Sequence, residues 1–405
     1  MALDPSSAFA FPDYRRLLLA RVATMVALQV QGVAVAWHVV SRTGRALDLG
    51  WVGLAQFLPA AGLSLLAGHV ADRYDRRAIL RVTYAAFGVL ALLLFAYART
   101  GASSNVPIYG LLLLVGTTRA FAQPAGSALA PELVPPAVFS NAVAWSSSFW
   151  QMSSIIGPAI GGVLTAALAD FVYLVSAALC AVSYVVIRRV ETVPTRMRET
   201  RISRDTLFAG VRYVWTKKLL LGSISLDLFA VLLGGAVALL PLYAKEFGAD
   251  AAGLGVLRAA PGVGAALMAG LFAWRPLKRN AGFWMFLCVF VFGLATIGFS
   301  YAHGIALTMA LLFVTGAADM VSVVVRQTLL QKETPPEMRG RVSAVNSVFV
   351  GASNELGEFE SGVTASLLGY RTATLVGGVG TCAVVVLWAL AFPDLRRADR
   401  LELHA

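Results

Sequence analysis

Twelve runs of predominantly apolar residues, each close to the length that a bilayer demands, leave this chain little choice of environment. They fall at approximately 17–40, 49–70, 78–98, 106–130, 138–168, 170–188, 219–244, 251–273, 282–301, 304–331, 342–368 and 370–392. About 20 such residues in helical form cross the hydrocarbon core. In lipid the backbone must satisfy its own hydrogen bonds, so each run is expected to be a helix. Composition agrees: 14% of residues are charged and 58% hydrophobic, where soluble domains carry roughly a quarter charged residues. The expected fold class is all-α and integral to the membrane, with twelve transmembrane helices in two six-helix bundles. The longest polar segment, residues 188–218, divides the chain into an N-terminal bundle (1–188), a linker (189–218) and a C-terminal bundle (219–405). No small-residue cleavage site follows the first run, which reads as a retained helix.

The net charge of +11 points to nucleic acid only when cations cluster on a polar domain. Here they occupy short gaps between apolar runs, where they orient helices instead. With both termini cytoplasmic, 24 of the 33 Lys and Arg fall on the cytoplasmic side and five on the other, the remaining four lying inside helices. This is the positive-inside pattern. In the linker, Leu207, Phe208, Val211, Val214 and Trp215 recur at helical spacing among Arg204, Arg212, Lys217 and Lys218. That predicts an amphipathic helix on the inner membrane surface, tethering the halves.

The chain repeats itself. Gly68, Asp72, Arg73, Arg76 and Arg77 form a short charged turn between the second and third runs, and a worn copy stands 202 places on at Gly270, Trp274, Arg275, Lys278 and Arg279. A longer match runs at an offset of 200, pairing Gly116 with Gly316, Leu129 with Leu329, Pro135-Pro136 with Pro335-Pro336, Ala144 with Ala344, Ser147 with Ser347, Gly157 with Gly357 and Gly162-Val163 with Gly362-Val363. Two six-helix halves related by an axis along the membrane normal are one established transporter design.

On these residues the chain resembles the major facilitator superfamily over essentially its full length. Gly68-x-x-x-Asp72-Arg73-x-x-Arg76-Arg77 is similar to that superfamily's signature between helices two and three, with Asp75 where a glycine is usual. The turn, together with Pro241, Arg258-Ala259-Ala260-Pro261 and the stretch Ser353 to Gly362, looks like the secretion-effector branch, which includes enterobactin exporters and macrolide-efflux proteins. Gly157-Pro158-Ala159-Ile160-Gly161-Gly162 fits the core of the superfamily's antiporter signature, though its two upstream glycines are Ala144 and Ser153 here. Small residues let helices approach closely and Pro158 bends its helix; ordinary bundle packing uses the same residues. The resemblance implies that helices 1, 4, 7 and 10 line a central cavity. It also implies that Asp72 meets the start of helix eleven, where Arg339 and Arg341 stand, as a latch that closes the cytoplasmic face.

Ionisable side chains inside a bilayer are expensive and mark function by default. Here they are Arg21, Arg119, Asp227, Arg258, Asp319, Arg326, Glu355, Glu358 and Glu360. Arg119 and Asp319 are equivalent at offset 200 and are expected to face each other as an acid–base pair; pairs confined to each half are the alternative. Asp227 and Arg326 have compatible depths, as do Arg258 and Glu355 or Glu358. A carboxylate that alternates between an apolar and a cationic setting takes up and releases a proton, so Asp227, Asp319, Glu355 and Glu358 are the proton-coupling candidates. Gln29, Arg119, Asp319, Arg258 and Arg326 are the substrate-cavity candidates. His38 and Trp37 read as interfacial, and Trp145, Phe149 and Trp150 as aromatic packing.

The expected function is a proton-coupled exporter of the bacterial inner membrane, acting as a monomer on a medium-sized amphipathic organic compound such as a siderophore, drug or secondary metabolite. A lipid or lysophospholipid flippase on the same fold, and an uncoupled facilitator, remain alternatives. The partners are the small-molecule substrate, protons and membrane lipids, with no nucleic acid. Cys180, Cys288 and Cys382 lie far apart within apolar runs, giving no metal-ligand spacing. No cofactor or metal is expected, and no catalytic pattern of an enzyme is present.

Overall fold

A computed structural model of the chain describes residues 7–102, 104–191, 204–275, 277 and 279–399. Lys278, Arg400 and the linker cations Arg196, Arg198 and Arg201 lie outside the described residues, as do the side chains of Arg204, Leu207, Phe208, Pro336 and Ala344. The helices are α1 (Pro12–Thr43), α2 (Ala46–Arg73), α3 (Arg76–Arg99), α4 (Val106–Leu129), α5 (Phe139–Leu168), α6 (Val172–Arg188), α7 (Arg204–Thr216), α8 (Lys218–Leu233), α9 (Leu240–Glu246), α10 (Ala251–Trp274), α11 (Ala281–Ser300), α12 (Ile305–Glu333), α13 (Pro336–Leu368), α14 (Tyr370–Ala391) and the single turn α15 (Pro393–Arg396).

All twelve apolar runs are helical. Among the described residues nine stretches are long and apolar enough to cross a membrane, one of them (Pro136–Arg188) containing both α5 and α6. The long helices α4 and α13 fall outside that set because polar residues dilute them: Arg119 and Gln123 in α4, and the three glutamates with Asn346 and Asn354 in α13. The seventh run is not one helix. It breaks after Leu233 at Gly234-Gly235, continues as a 3-10 turn over Ala236–Leu239 and resumes in α9. Side-chain-free backbone is required there, since a Cβ on Gly235 would stand 2.7 Å from the Gly357 backbone and one on Gly234 would stand 2.5 Å from the Phe292 ring.

The chain forms two compact units. Met1–Gly44, Leu54–Glu199 and Ala249–Ala259 make the first; Arg45–Gly53, Thr200–Gly248 and Ala260–Ala405 make the second. In the first, α1 packs on α5 and α6 while α3 packs on α4 and α6. In the second, α8 packs on α13 and α14 while α11 packs on α12 and α14. These are the same neighbours under the sequence repeat, with α8, α11, α12, α13 and α14 standing for α1, α3, α4, α5 and α6. Each unit has its own apolar centre: Leu80, Tyr84, Phe87, Leu129 and Ile187 in the first, and Leu226, Met285, Val289, Val325 and Leu329 in the second. Elsewhere Val82, Val89 and Leu92 on α3 and Leu387 and Leu390 on α14 are exposed, as side chains solvated by lipid tails must be.

The repeat also explains two of its own matched glycines. A Cβ on Gly116 of α4 would come within 2.2 Å of the Gln56 carbonyl oxygen on α2, and one on Gly316 of α12 within 1.8 Å of the Pro261 carbonyl oxygen on α10. Without lipid-driven hydrophobic force between helices, such backbone approach is a main source of their association. The linker helix α7 belongs to the second unit, where Gly210 meets the Arg341 backbone and the Tyr213 hydroxyl donates to the Glu333 carbonyl at 2.7 Å. Val214, expected to face lipid, is instead buried with Leu220, Ile224, Leu330 and Val342.

Enlarging either paired glycine must separate two backbones. Gly316→Val is expected to destabilise the protein by about 1–3 kcal/mol through overpacking, read as a lowered unfolding temperature in detergent. Gly110→Ala, whose added methyl meets nothing within 4 Å, should cause no loss; equal effects of the two would refute the close-approach account.

Candidate functional site

The charged turn is a structural joint as well as a signature. Asp75 caps α3, its Oδ1 accepting from the Arg77 backbone N–H at 2.9 Å, so the aspartate that replaces the usual glycine supplies an N-cap. Arg76 donates to the carbonyls of Ala71 (3.1 Å) and Ala128 (3.0 Å) and pairs with Glu132 at 2.5 Å. Arg77 donates to the Val190 carbonyl, and Arg16 donates to the Arg189 carbonyl at 2.8 Å. The arginines thus occupy orphan carbonyls where α4 and α6 end, where cations also complement the helix dipole. Asp72 is exposed and 3.9 Å from Arg76 Nη2; Arg73 is exposed at the end of α2, and Gly68 has open space around it. Arg341, at the start of α13, is exposed beside Met338.

Helix α5 carries Gly157, Pro158, Gly161 and Gly162, all buried. A Cβ on Gly157 would touch Gln29 of α1 at 2.7 Å, one on Gly161 would touch the Val30 backbone at 2.8 Å, and one on Gly162 would meet the Ala251 carbonyl oxygen at 2.5 Å. The motif therefore seats α1 and the start of α10 against α5 within the first unit. Gln29 lies over Gly157. Arg258, one helical turn after Gly255 and the Pro158 carbonyl it approaches, is half-buried.

The first unit holds a cavity of about 260 Å³. Arg21 of α1 and Arg119 of α4 line it, with Gln123, Ser127, Ser146 and Ser153 supplying polar groups and Tyr84, Phe87, Phe149 and Trp150 supplying rings. Among the described residues lining it none is Asp or Glu. Sequence reasoning names Arg21 as a costly charge but gives it no role. The signal that it shares a site with Arg119 and a set of serines is spread over four helices and appears in no single motif. Phe149 and Trp150 belong to this wall, whereas Trp145 meets Phe9 edge to face with ring centroids 4.8 Å apart. His38 is not simply interfacial: its Nδ1 is 2.9 Å from the Tyr173 hydroxyl, and its Nε2 is 3.7 Å from Asp170.

The second unit holds a buried acid–base group. Asp227 of α8 pairs with Arg326 of α12, both almost fully buried at 4% and 2% exposure. Ser322 donates to Asp227 Oδ1 at 3.4 Å. Asp319, Ser322 and Arg326 follow one another at three- and four-residue steps and so share one face of α12. Asp227, Asp319 and Ser322 line a single cavity of about 10 Å³, closed by Ala230, Val231, Val289 and Phe292. That volume is near the lower limit for one water. Two carboxylates thus meet one arginine in an apolar enclosure that cannot hydrate a second anion. Asp319 has these partners in its own unit, whereas Arg119 lies in the cavity of the other.

The glutamates of α13 are divided. Glu358 lies against the first residues of α2, its Oε2 2.9 Å from where a Gly53 methyl would be, and Trp51 meets Phe359 edge to face with centroids 5.5 Å apart. Glu355 is half-buried one turn earlier. Glu360 accepts from Thr364 at 2.6 Å and is locally satisfied.

Removing one member of a buried pair strands the other, at a cost of about 3–5 kcal/mol, whereas replacing both by apolar groups is often near neutral. Arg326→Met and Asp227→Leu should each lower the unfolding temperature, and the double variant should recover most of the loss. Additive losses in that double-mutant cycle would show that the pair does not interact.

Comparison with known proteins agrees with this geometry. Residues 17–358 match the family model described as Major Facilitator Superfamily. A relative named enterobactin exporter EntS, from Citrobacter koseri, is 27% identical over 400 residues, covering 95% of this chain and 93% of its own. Among solved structures, a variant of the nucleoside transporter NupG superposes with a TM-score of 0.77 at 11% identity over 94% of this chain and 100% of its own. A bacterial homologue of the human lysosomal transporter Spinster gives 0.72 at 14% identity over 95% and 96%. Family match, helix count and paired packing agree, and the chain belongs to the major facilitator superfamily.

Proposed function

We propose that the protein is a proton-driven exporter of the bacterial inner membrane, moving a medium-sized amphipathic organic compound such as a siderophore by alternating access. The observation that carries the reading is the buried group of Asp227, Asp319 and Arg326. One guanidinium balances one carboxylate; the other, held in the same apolar enclosure, is stable only when it carries a proton or when the enclosure opens to water. Rearrangement of the two units about the membrane midplane exposes and re-buries that group, and the proton moves with it. Asp319 is the carrier, because Asp227 is held by both Arg326 and Ser322. Glu355 and Glu358 are secondary candidates on α13. The relatives named enterobactin exporters support outward transport of a siderophore-like cargo.

The excess of Lys and Arg between alternate helices supports cytoplasmic termini. In that orientation Asp72 lies on the cytoplasmic side and latches onto Arg341 or Arg339 when that side closes. Its exposure, with only a 3.9 Å approach from Arg76, leaves it available for that partner. Protein purified as a monomer is expected to be the working form.

The test is transport in proteoliposomes with an imposed pH gradient. Gradient-dependent accumulation of a siderophore or drug should be lost in Asp319→Asn while substrate-driven exchange persists. Full gradient-driven transport by that variant would refute the assignment, and gradient-independent lysolipid movement by the native protein would favour a flippase. Asp72→Asn should leave the unfolding temperature unchanged and slow transport several-fold; native rates would remove the latch.

A further inference from the structure

We propose that the groove between α3 and α6, at the end of the first unit from which α1 starts, binds the phosphodiester head group of an anionic phospholipid. The proposal does not depend on the exporter reading or on the cargo. It begins where α6 ends. Arg16 of α1 donates to the Arg189 carbonyl at 2.8 Å and Arg77 of α3 donates to the Val190 carbonyl, so both side chains are drawn to the last residues of α6. Arg81 follows Arg77 by one turn on the same face of α3. That face meets α6, since a Cβ on Gly88, seven residues beyond Arg81, would touch Cys180 at 3.5 Å. Arg188 and Arg189 end α6 itself, with Arg188 over the Tyr184 ring at 5.8 Å. Guanidinium groups from three helices therefore gather around one helix end. Of the acids nearby, Asp13 is paired with Arg16 at 2.7 Å, Asp75 caps α3, and Asp72 and Glu132 belong with Arg76. Glu191, just past α6, is exposed.

A second observation concerns what the groove lacks. The Nε atoms of Arg77 and Arg81 are both buried and meet no acceptor among the described residues. A buried donor left unpaired costs free energy, and more when the group is charged. Phosphate oxygens are the acceptors that arginine engages best, through paired N–H donors in a planar fork.

The third observation says that the phosphate belongs to a lipid. Val82 and Val89 are exposed on α3, and Val182 and Val185 on α6. Val185 precedes Arg188 and Arg189 by three and four residues, so the apolar stripe of α6 runs straight into its arginines. Acyl chains cover such stripes in a bilayer. The two helices thus present chain contacts and head-group contacts in the order in which a phospholipid carries them, and a soluble anion would use only the arginines. A zwitterionic lipid would bring a cation of its own into the same field, which is unfavourable. The general excess of cations on one side of the membrane accounts for their side, but not for two arginines with buried donors between lipid-facing helices. Basic pockets between spans are a recurring form of head-group recognition.

The experiment is titration of dioleoyl phosphatidylglycerol and dioleoyl phosphatidylcholine onto the purified, detergent-solubilised full chain, read by native mass spectrometry, with inorganic phosphate as competitor. Phosphatidylglycerol is expected to bind at least about 10-fold more tightly than phosphatidylcholine, a difference of about 1.4 kcal/mol. The double variant Arg81→Gln, Arg189→Gln should lower phosphatidylglycerol to the level of phosphatidylcholine. Arg396→Gln with Arg397→Gln, exposed cations of the second unit, should leave the preference unchanged. Equal affinity for the two lipids in the native protein overturns the proposal without recourse to any variant. Equal losses in the two double variants would reduce the preference to diffuse attraction and overturn it as well. Displacement of phosphatidylglycerol by millimolar phosphate would show a site for the free anion and overturn the lipid assignment.

Discussion

A charge buried among apolar helices has to be balanced within a few ångströms, and this constraint shapes both units. The Asp227–Arg326 pair is the clearest case. It joins α8 to α12 in a region where Val289 and Phe292 leave scarcely room for one water. Ser322 turns to the same carboxylate, and Asp319, one turn away on the same face, lines the same cavity. Such an arrangement is costly to desolvate, and ionisable groups inside a membrane mark candidate functional sites for that reason.

The first unit handles charge in the opposite way. Arg21 and Arg119 line a larger cavity walled by rings and hydroxyls. The two units thus carry different charged residues at positions that the sequence repeat equates. The offset of 200 that equates Arg119 with Asp319 marks where the copies diverged in sign.

Close backbone approach supplies the rigidity that both sites need. Gly116 and Gly316 occupy equivalent positions and admit α2 and α10 to within contact distance of α4 and α12. Gly157 and Gly161 do the same for α1 on α5. These glycines are, in physical terms, places where two helices share one surface. The arginines at the α2–α3 turn have a similar double character. Arg76 and Arg77 serve the carbonyl ends of α4 and α6, leaving Asp72 and Arg73 exposed for other partners.

Hydropathy and repeat spacing alone determined the helical class, the number of spans, the two-fold repeat and the buried pair Asp227 and Arg326, though not buried Asp48, because lipid imposes length and polarity rules that act on each segment separately. Tertiary structure decided what those rules do not reach. The break at Gly234-Gly235 was illegible because the 3-10 turn that follows is as apolar as the helix it interrupts. The docking of α7 through Val214 was illegible because an amphipathic face reads the same whether lipid or protein covers it. That Arg21 and Arg119 line one cavity was illegible because the cavity forms only when several helices of the first unit assemble, and the register between packed helices is set by side-chain shape, which no single segment encodes.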